Sequence, residues 1–337
     1  MNFTGDICST FRPKKFSEVV GQKAIVASLK AAVLNKNRSS LYLLHGTNGI
    51  GKTTLARILA ACFNCDNLGE DGNPCGICLG CMGVYSQTNL DIVEIDAADA
   101  NGINEVRGIK TNLSNRSLYG RTKVVIFDEV HGMSVQGQKA LLKMAEETPG
   151  NSVLIMCTTD PTKLDKGLID RAECYALSTL SPTEISSYVS YICTLMGMPL
   201  DEKVIELVTE QSQGKPRRAL KGLQKAINIG FDHIDDIKEV LALDEEVDKD
   251  VLDLYRSIIS GYSSWDKIMS TYRAIEMDSE MFRIMLAGLF RSLVERSKNL
   301  DRRALESLGI LLKPLPYPKP ENALVYCLAS IFSEYKR

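Results

Sequence analysis

The chain has 337 residues, 45% of them hydrophobic and 24% charged, an ordinary soluble composition with room for two or three domains. A net charge of −2 excludes bulk electrostatic attachment to nucleic acid, though a local basic lining stays open. No apolar run is long enough to cross a bilayer, and Met1 to Asp6 lack the features of a signal peptide. A cytoplasmic protein without membrane contact is therefore expected, whose ten cysteines form no disulfide framework.

The periodicity predicts a helix over 22–35 and then a short apolar strand, Leu41–His45. Directly after it, Gly46-Thr47-Asn48-Gly49-Ile50-Gly51-Lys52-Thr53 fits the P-loop pattern at every position. Gly46, Gly49 and Gly51 let the backbone curl so that N–H groups, those of Asn48, Ile50 and Thr54 among them, can surround phosphate oxygens. Lys52 brings a charge to the β- and γ-phosphates, and the Thr53 hydroxyl is placed to ligate Mg²⁺. The helix continuing from Thr54 points its positive end at the anion. A glycine-rich turn that merely fits the pattern is the bland rival; a strand before and a helix after argue against it.

Next comes Cys65-x9-Cys75-x2-Cys78-x2-Cys81, interleaved with Pro74, Gly76, Gly80 and Gly83. Paired Cys-x-x-Cys spacing and the lack of a nearby histidine predict a closed, structural four-thiolate Zn²⁺ site. A redox dithiol and free thiols are the alternatives, and Cys62 is a possible substitute for Cys65. The other cysteines read as small buried apolar residues.

A strand over 91–95, a helix over 102–112 and a strand over 123–127 follow, the last ending in Asp128-Glu129. Asp128 stands where a carboxylate holds Mg²⁺ and Glu129 where a base orients the attacking water; an acidic turn is the rival. After a helix over 135–146, strand 153–157 runs into Thr158-Thr159-Asp160-Pro161. Thr158 at this strand's carboxyl end is a candidate reader of the γ-phosphate or the water, with a simple capping threonine weighing equally. Strands alternating with helices predict a parallel sheet covered on both faces.

From Ser181 the pattern is helical only. Ser181-Pro182 opens one helix ending near Gly197, 201–213 forms a second, and Pro216 opens a third running to Ile229. Helical periodicity resumes at Asp244 and is broken by the stiff stretch 313–320. The expected domains are 1–178 with its cysteine insertion at about 62–84, 179–243, and 244–337.

The stretch Phe11-Arg12-Pro13-Lys14-Lys15-Phe16-Ser17-Glu18-Val19-Val20-Gly21-Gln22 resembles the adenine-contacting N-terminal box of clamp-loader ATPases. Together with the P-loop, the cysteine insertion, Asp128-Glu129-Val130-His131, Ala140-Leu141-Leu142-Lys143, Glu146-Glu147 and Thr158-Thr159-Asp160-Pro161, it makes residues 10–230 similar to the bacterial DNA polymerase III gamma/tau family. The resemblance implies an AAA+ nucleotide-binding domain, a three-helix lid and an all-α collar. It further implies an ATP hydrolase of a pentameric spiral that opens a sliding clamp and loads it onto primed DNA. Arg12, Val19 and Val20 would then contact the adenine, and Arg217 in Gly214-Lys215-Pro216-Arg217-Arg218 would sense phosphate in cis. Arg171 would act in trans in a neighbour's site, although Asp170-Arg171-Ala172 stands where the family has Ser-Arg-Cys. Arg107 and Lys110, with Arg116, Arg121 and Lys139 around them, fall in the DNA-facing region. Two rivals are another AAA+ DNA-remodelling motor and a non-catalytic scaffold subunit. The cysteine insertion speaks against the first, and intact Lys52 and Glu129 against the second.

Overall fold

The computed structural model describes residues 5–35, 38–97, 109, 113, 122–147, 149–242, 249–261, 263–275, 279–296, 301–313, 315 and 320–335. They form two compact units, 1–237 and 238–337. The predicted helix over 102–112 apart from residue 109, Arg107, Lys110, Arg116 and Arg121, and most of the stretch 313–320 lie outside the described residues.

The first unit opens with helix α1 (Ile7–Thr10), a 3₁₀ turn at Phe16–Glu18 and helix α2 (Lys23–Leu34). Strand β1 (Leu41–His45) leads through the P-loop into α3 (Lys52–Asn64), and the cysteine module carries α4 (Leu79–Tyr85). Strands β2 (Ile92–Asp96) and β3 (Lys123–Asp128), helix α5 (Val135–Glu146), strand β4 (Ser152–Thr158), helix α6 (Lys166–Arg171) and strand β5 (Glu173–Ala176) complete the α/β part.

All five strands are parallel, in the order β2-β3-β4-β1-β5. The three central strands are buried almost end to end, as expected of a sheet whose two faces are both covered. Their side chains alternate between two cores. Tyr42, Leu44, Ile126 and Ile155 join Leu55, Ile58 and Leu59 of α3 on one face. Leu43, Val125, Phe127 and Met156 join Leu141 and Met144 of α5 and Leu168 of α6 on the other. This period of two fixes strand register and aims the carboxyl ends of β1, β3 and β4 at one edge.

Three longer helices follow: α7 (Pro182–Leu195), α8 (Glu202–Ser212) and α9 (Pro216–Ile229). The Ser181 side chain accepts the Glu184 N–H and the Glu184 carboxylate accepts the Ser181 N–H, a reciprocal cap that fixes where α7 begins. Between α8 and α9, Gly214 has φ +71° and the Leu180 carbonyl would lie 2.5 Å from any Cβ placed there, so only glycine fits that turn.

Helix α10 (Ile234–Ala242) runs across the division between the units. The second unit is all helical, with α11 (Lys249–Ser260), α12 (Trp265–Ala274), α13 (Ser279–Arg296), α14 (Arg302–Leu311) and α15 (Pro320–Tyr335). Its own core gathers Leu254, Ile258, Phe282, Leu286, Phe290, Leu324 and Ile331, with Tyr255 meeting Phe290 edge to face at 5.1 Å. Among the described residues no helix is long and apolar enough to cross a membrane.

Candidate functional site

The P-loop follows from its glycines. Gly46, Gly49 and Gly51 have φ of +150°, +77° and +111°, which other residues rarely adopt. At Gly46 a Cβ would stand 2.6 Å from the Leu177 carbonyl oxygen, because Leu177 N–H donates to the His45 carbonyl and draws that strand close. The loop thereby opens into a cleft of about 420 Å³.

The P-loop residues predicted to hold phosphate all reach this cleft or back it. Asn48, Gly49, Ile50, Gly51, Lys52, Thr53 and Thr54 line it. Gly46 lies behind, and its carbonyl accepts the Lys52 ammonium at 2.9 Å, with the Thr47 carbonyl at 3.3 Å. Lys52 is thus held folded against the loop, 5% exposed, in the place a phosphate would contest. The Thr53 hydroxyl donates to Asp128 at 2.8 Å, so the two groups that would hold a Mg²⁺ ion stand side by side. Glu129 lines the same cleft with its backbone in the left-handed region, and its N–H donates to the Asp128 carboxylate at 3.1 Å.

Arg12, Val19 and Val20 line the cleft's other side, and Arg217 enters from the start of α9, its N–H donating to the Gly49 carbonyl at 3.3 Å. Burial, and after it the positive charges of Arg57 and Arg217, push the Arg12 guanidinium below its usual value. Such like-charge crowding suits a polyanion, which would relieve it.

The geometry adds residues that sequence reasoning missed. Arg57, one turn beyond Thr53, makes two 2.7 Å bonds to Glu94 of β2 inside the cleft. Its only sequence signal is the i, i+4 spacing from Thr53. Cys8, Tyr188 and Leu220 supply apolar lining from three helices, and no local pattern marks them. Burial pushes the Tyr188 phenol up to about 12.

Thr158 stands in the capping position weighed for it above and does not line the cleft. It is fully buried, its hydroxyl engaged by the Asp160 backbone and by His131. The neighbouring Thr159 is the one that turns to Glu129, its hydroxyl 3.4 Å from the carboxylate. Arg171 is absent from the cleft lining; it ends α6, half exposed, paired with Glu146 at 2.9 Å. Lys139 is exposed on α5.

The four cysteines converge. The sulfurs of Cys65, Cys75, Cys78 and Cys81 all lie within 4.8 Å of one another. Four thiolates about 2.3 Å from a tetrahedral Zn²⁺ would stand close to this spacing, so the set fits the ion. Backbone N–H groups of Cys75, Asp66 and Cys81 donate to the sulfurs of Cys65, Cys78 and Cys78 in turn. A backbone N–H at Ile77 is the chief cause that brings the Cys75 thiol down to about 6. Cys62 stands apart, its thiol directed to the Gly72 carbonyl. At Gly80 a Cβ would lie 2.0 Å from the Asn64 carbonyl oxygen, so glycine alone lets α4 pack on the end of α3.

Comparison with known proteins fits this arrangement. A family model described as DNA polymerase III, delta subunit, matches residues 21–181. The chain is 34% identical over 220 residues to DNA polymerase III subunit tau/gamma of Haemophilus influenzae, covering 65% of this chain and 32% of that protein. It is 35% identical to DNA polymerase III subunit tau of Bacillus subtilis over 66% of this chain and 39% of the relative. DNA polymerase III subunit gamma of Buchnera aphidicola subsp. Acyrthosiphon pisum is 35% identical, over 68% of this chain and 63% of the relative. The chain thus spans between about a third and under two thirds of these relatives. Among solved structures, the Thermotoga maritima RuvB Holliday junction branch migration motor superposes with a TM-score of 0.56 at 19% identity, covering 89% of this chain and 98% of that one. That likeness concerns the fold alone, a parallel sheet with helical regions after it.

Proposed function

We propose that this chain, 34–35% identical to DNA polymerase III subunits tau/gamma, tau and gamma over 65–68% of its length, is a member of that family and the ATPase subunit of a sliding-clamp loader. Lys52, Thr53 and Asp128 would hold MgATP, and Arg12, Val19 and Val20 its adenosine end. Arg217 would meet the phosphates in cis and Arg171 those of a neighbouring subunit. Glu129 would take the proton of the attacking water, which makes the water a better nucleophile toward the γ-phosphorus. Zn²⁺ on the four cysteines would stabilise the fold. The partners would be other loader subunits in a five-membered spiral, the clamp, and primed DNA held by its backbone.

One observation carries this reading: the P-loop lysine, the Thr53–Asp128 pair and Glu129 meet in a single cleft, beside Arg12, Arg57 and Arg217. A scaffold subunit would need neither Lys52 nor Glu129 there. The test separates binding from turnover. Glu129→Gln should bind ATP normally and lose hydrolysis by about 10²-fold or more, since an amide cannot accept the proton. Near-normal turnover in that variant would refute the assignment.

A further inference from the structure

Behind Glu129 lies a polar cluster that the roles above leave unused. The Glu129 Oε2 is 3.3 Å from His131 Nδ1 and 3.4 Å from Thr159 Oγ1. The same Nδ1 is 3.1 Å from the buried Thr158 Oγ1. His131 reaches this place because it sits in the 3₁₀ turn Val130–Gly132, which starts directly after the left-handed Glu129.

Proton accounting gives the cluster a direction. The Thr158 hydroxyl has one proton and donates it to the Asp160 carbonyl at 3.1 Å, while its oxygen accepts the Asp160 N–H at 3.1 Å. What it has left for His131 is a lone pair. An ionised carboxylate also only accepts. Both neighbours of Nδ1 are therefore acceptors, so the ring carries its proton on Nδ1 and forks it between Thr158 and Glu129. The tautomer is assigned by this network of partners.

We propose that His131 is the positioning residue of Glu129. Anchored on Thr158, its Nδ1–H holds one carboxylate oxygen from behind, with Thr159 as a second donor to that oxygen. The other oxygen is left for the water in the cleft that Glu129 lines. A hydrogen bond to a charged group is worth enough to fix a side chain that is otherwise free to rotate, and Glu129 is a third exposed. This inference rests on the reading of Glu129 as the base.

The test is single-turnover ATP hydrolysis, with Mg²⁺, by the loader assembled with this chain, clamp and primed DNA, read beside equilibrium ATP binding of the chain. His131→Phe keeps the ring's bulk and removes the donor; hydrolysis should fall about tenfold or more while ATP affinity stays within about twofold. His131→Asn puts an amide N–H at the Nδ1 position and should restore most of the rate. Equal impairment of both variants would assign the ring a packing role and overturn the proposal, as would wild-type rates in both while Glu129→Gln is inactive. If wild type is no faster than Glu129→Gln, the base assignment falls and the positioning role with it. Should His131→Phe unfold, His131→Leu against His131→Asn makes the same comparison.

Discussion

Arg57 follows Thr53 by one turn of the P-loop helix and spends its guanidinium on Glu94, with both bonds at 2.7 Å. A paired arginine at the mouth of a phosphate cleft is poised for exchange, because a triphosphate offers the same bidentate oxygens. Arg57→Ala should weaken ATP binding about tenfold and leave Glu94 facing the nucleotide uncompensated, whereas Glu94→Gln should not weaken it. Unchanged affinity in Arg57→Ala by titration would remove Arg57 from the site. At this scale the sequence tells residue type well and direction poorly. Lys52, Thr53, Asp128 and Glu129 were legible because the P-loop and an acidic strand end dictate where their side chains go. The threonine that ends β4 and the one after it were not, since adjacent residues at a strand's end point to opposite sides. The fold turns Thr159 toward Glu129 and Thr158 into the interior.

Among the elements, the cysteine module shows how local chemistry substitutes for a hydrophobic core. Helix α4 begins because the Cys78 sulfur accepts the Cys81 N–H as an N-cap, and it closes on α3 because Gly80 permits contact with the Asn64 carbonyl. The spacing of the cysteines was readable, while α4 itself was hidden among glycines that otherwise signal turns. Strand β5 was also missed: four residues with little burial, on the sheet edge, lack the apolar run that marks β1, β3 and β4. Cys78→Ser should lower zinc content and thermal stability together, since metal affinity here is coupled to local folding. Purified protein holding no zinc, with four freely titrating thiols, would refute the metal reading. Gly80→Ala should destabilise by about 1–3 kcal/mol through overpacking, and an unchanged melting curve would contradict the close approach.

For the whole molecule, the position of Arg171 decides where activity resides. Its partner Glu146 is 44% exposed and Arg171 itself 54%, so the pair is a weak surface contact that the arginine can leave at little cost. Arg171→Ala should leave the ATP affinity of the isolated chain unchanged. In an assembled loader it should cut stimulated hydrolysis by about 10³-fold or more, because a charge supplied in trans acts mainly in the transition state. Reduced affinity in the isolated variant would place the arginine in its own site. The most direct test of the central claim is the steady-state ATP hydrolysis rate of the loader assembled with this chain, measured alone, with clamp, with primed DNA, and with both. A rate that rises sharply only when clamp and primed DNA are present together, and that Glu129→Gln abolishes, is the expected result. A rate indifferent to both additions would contradict the assignment.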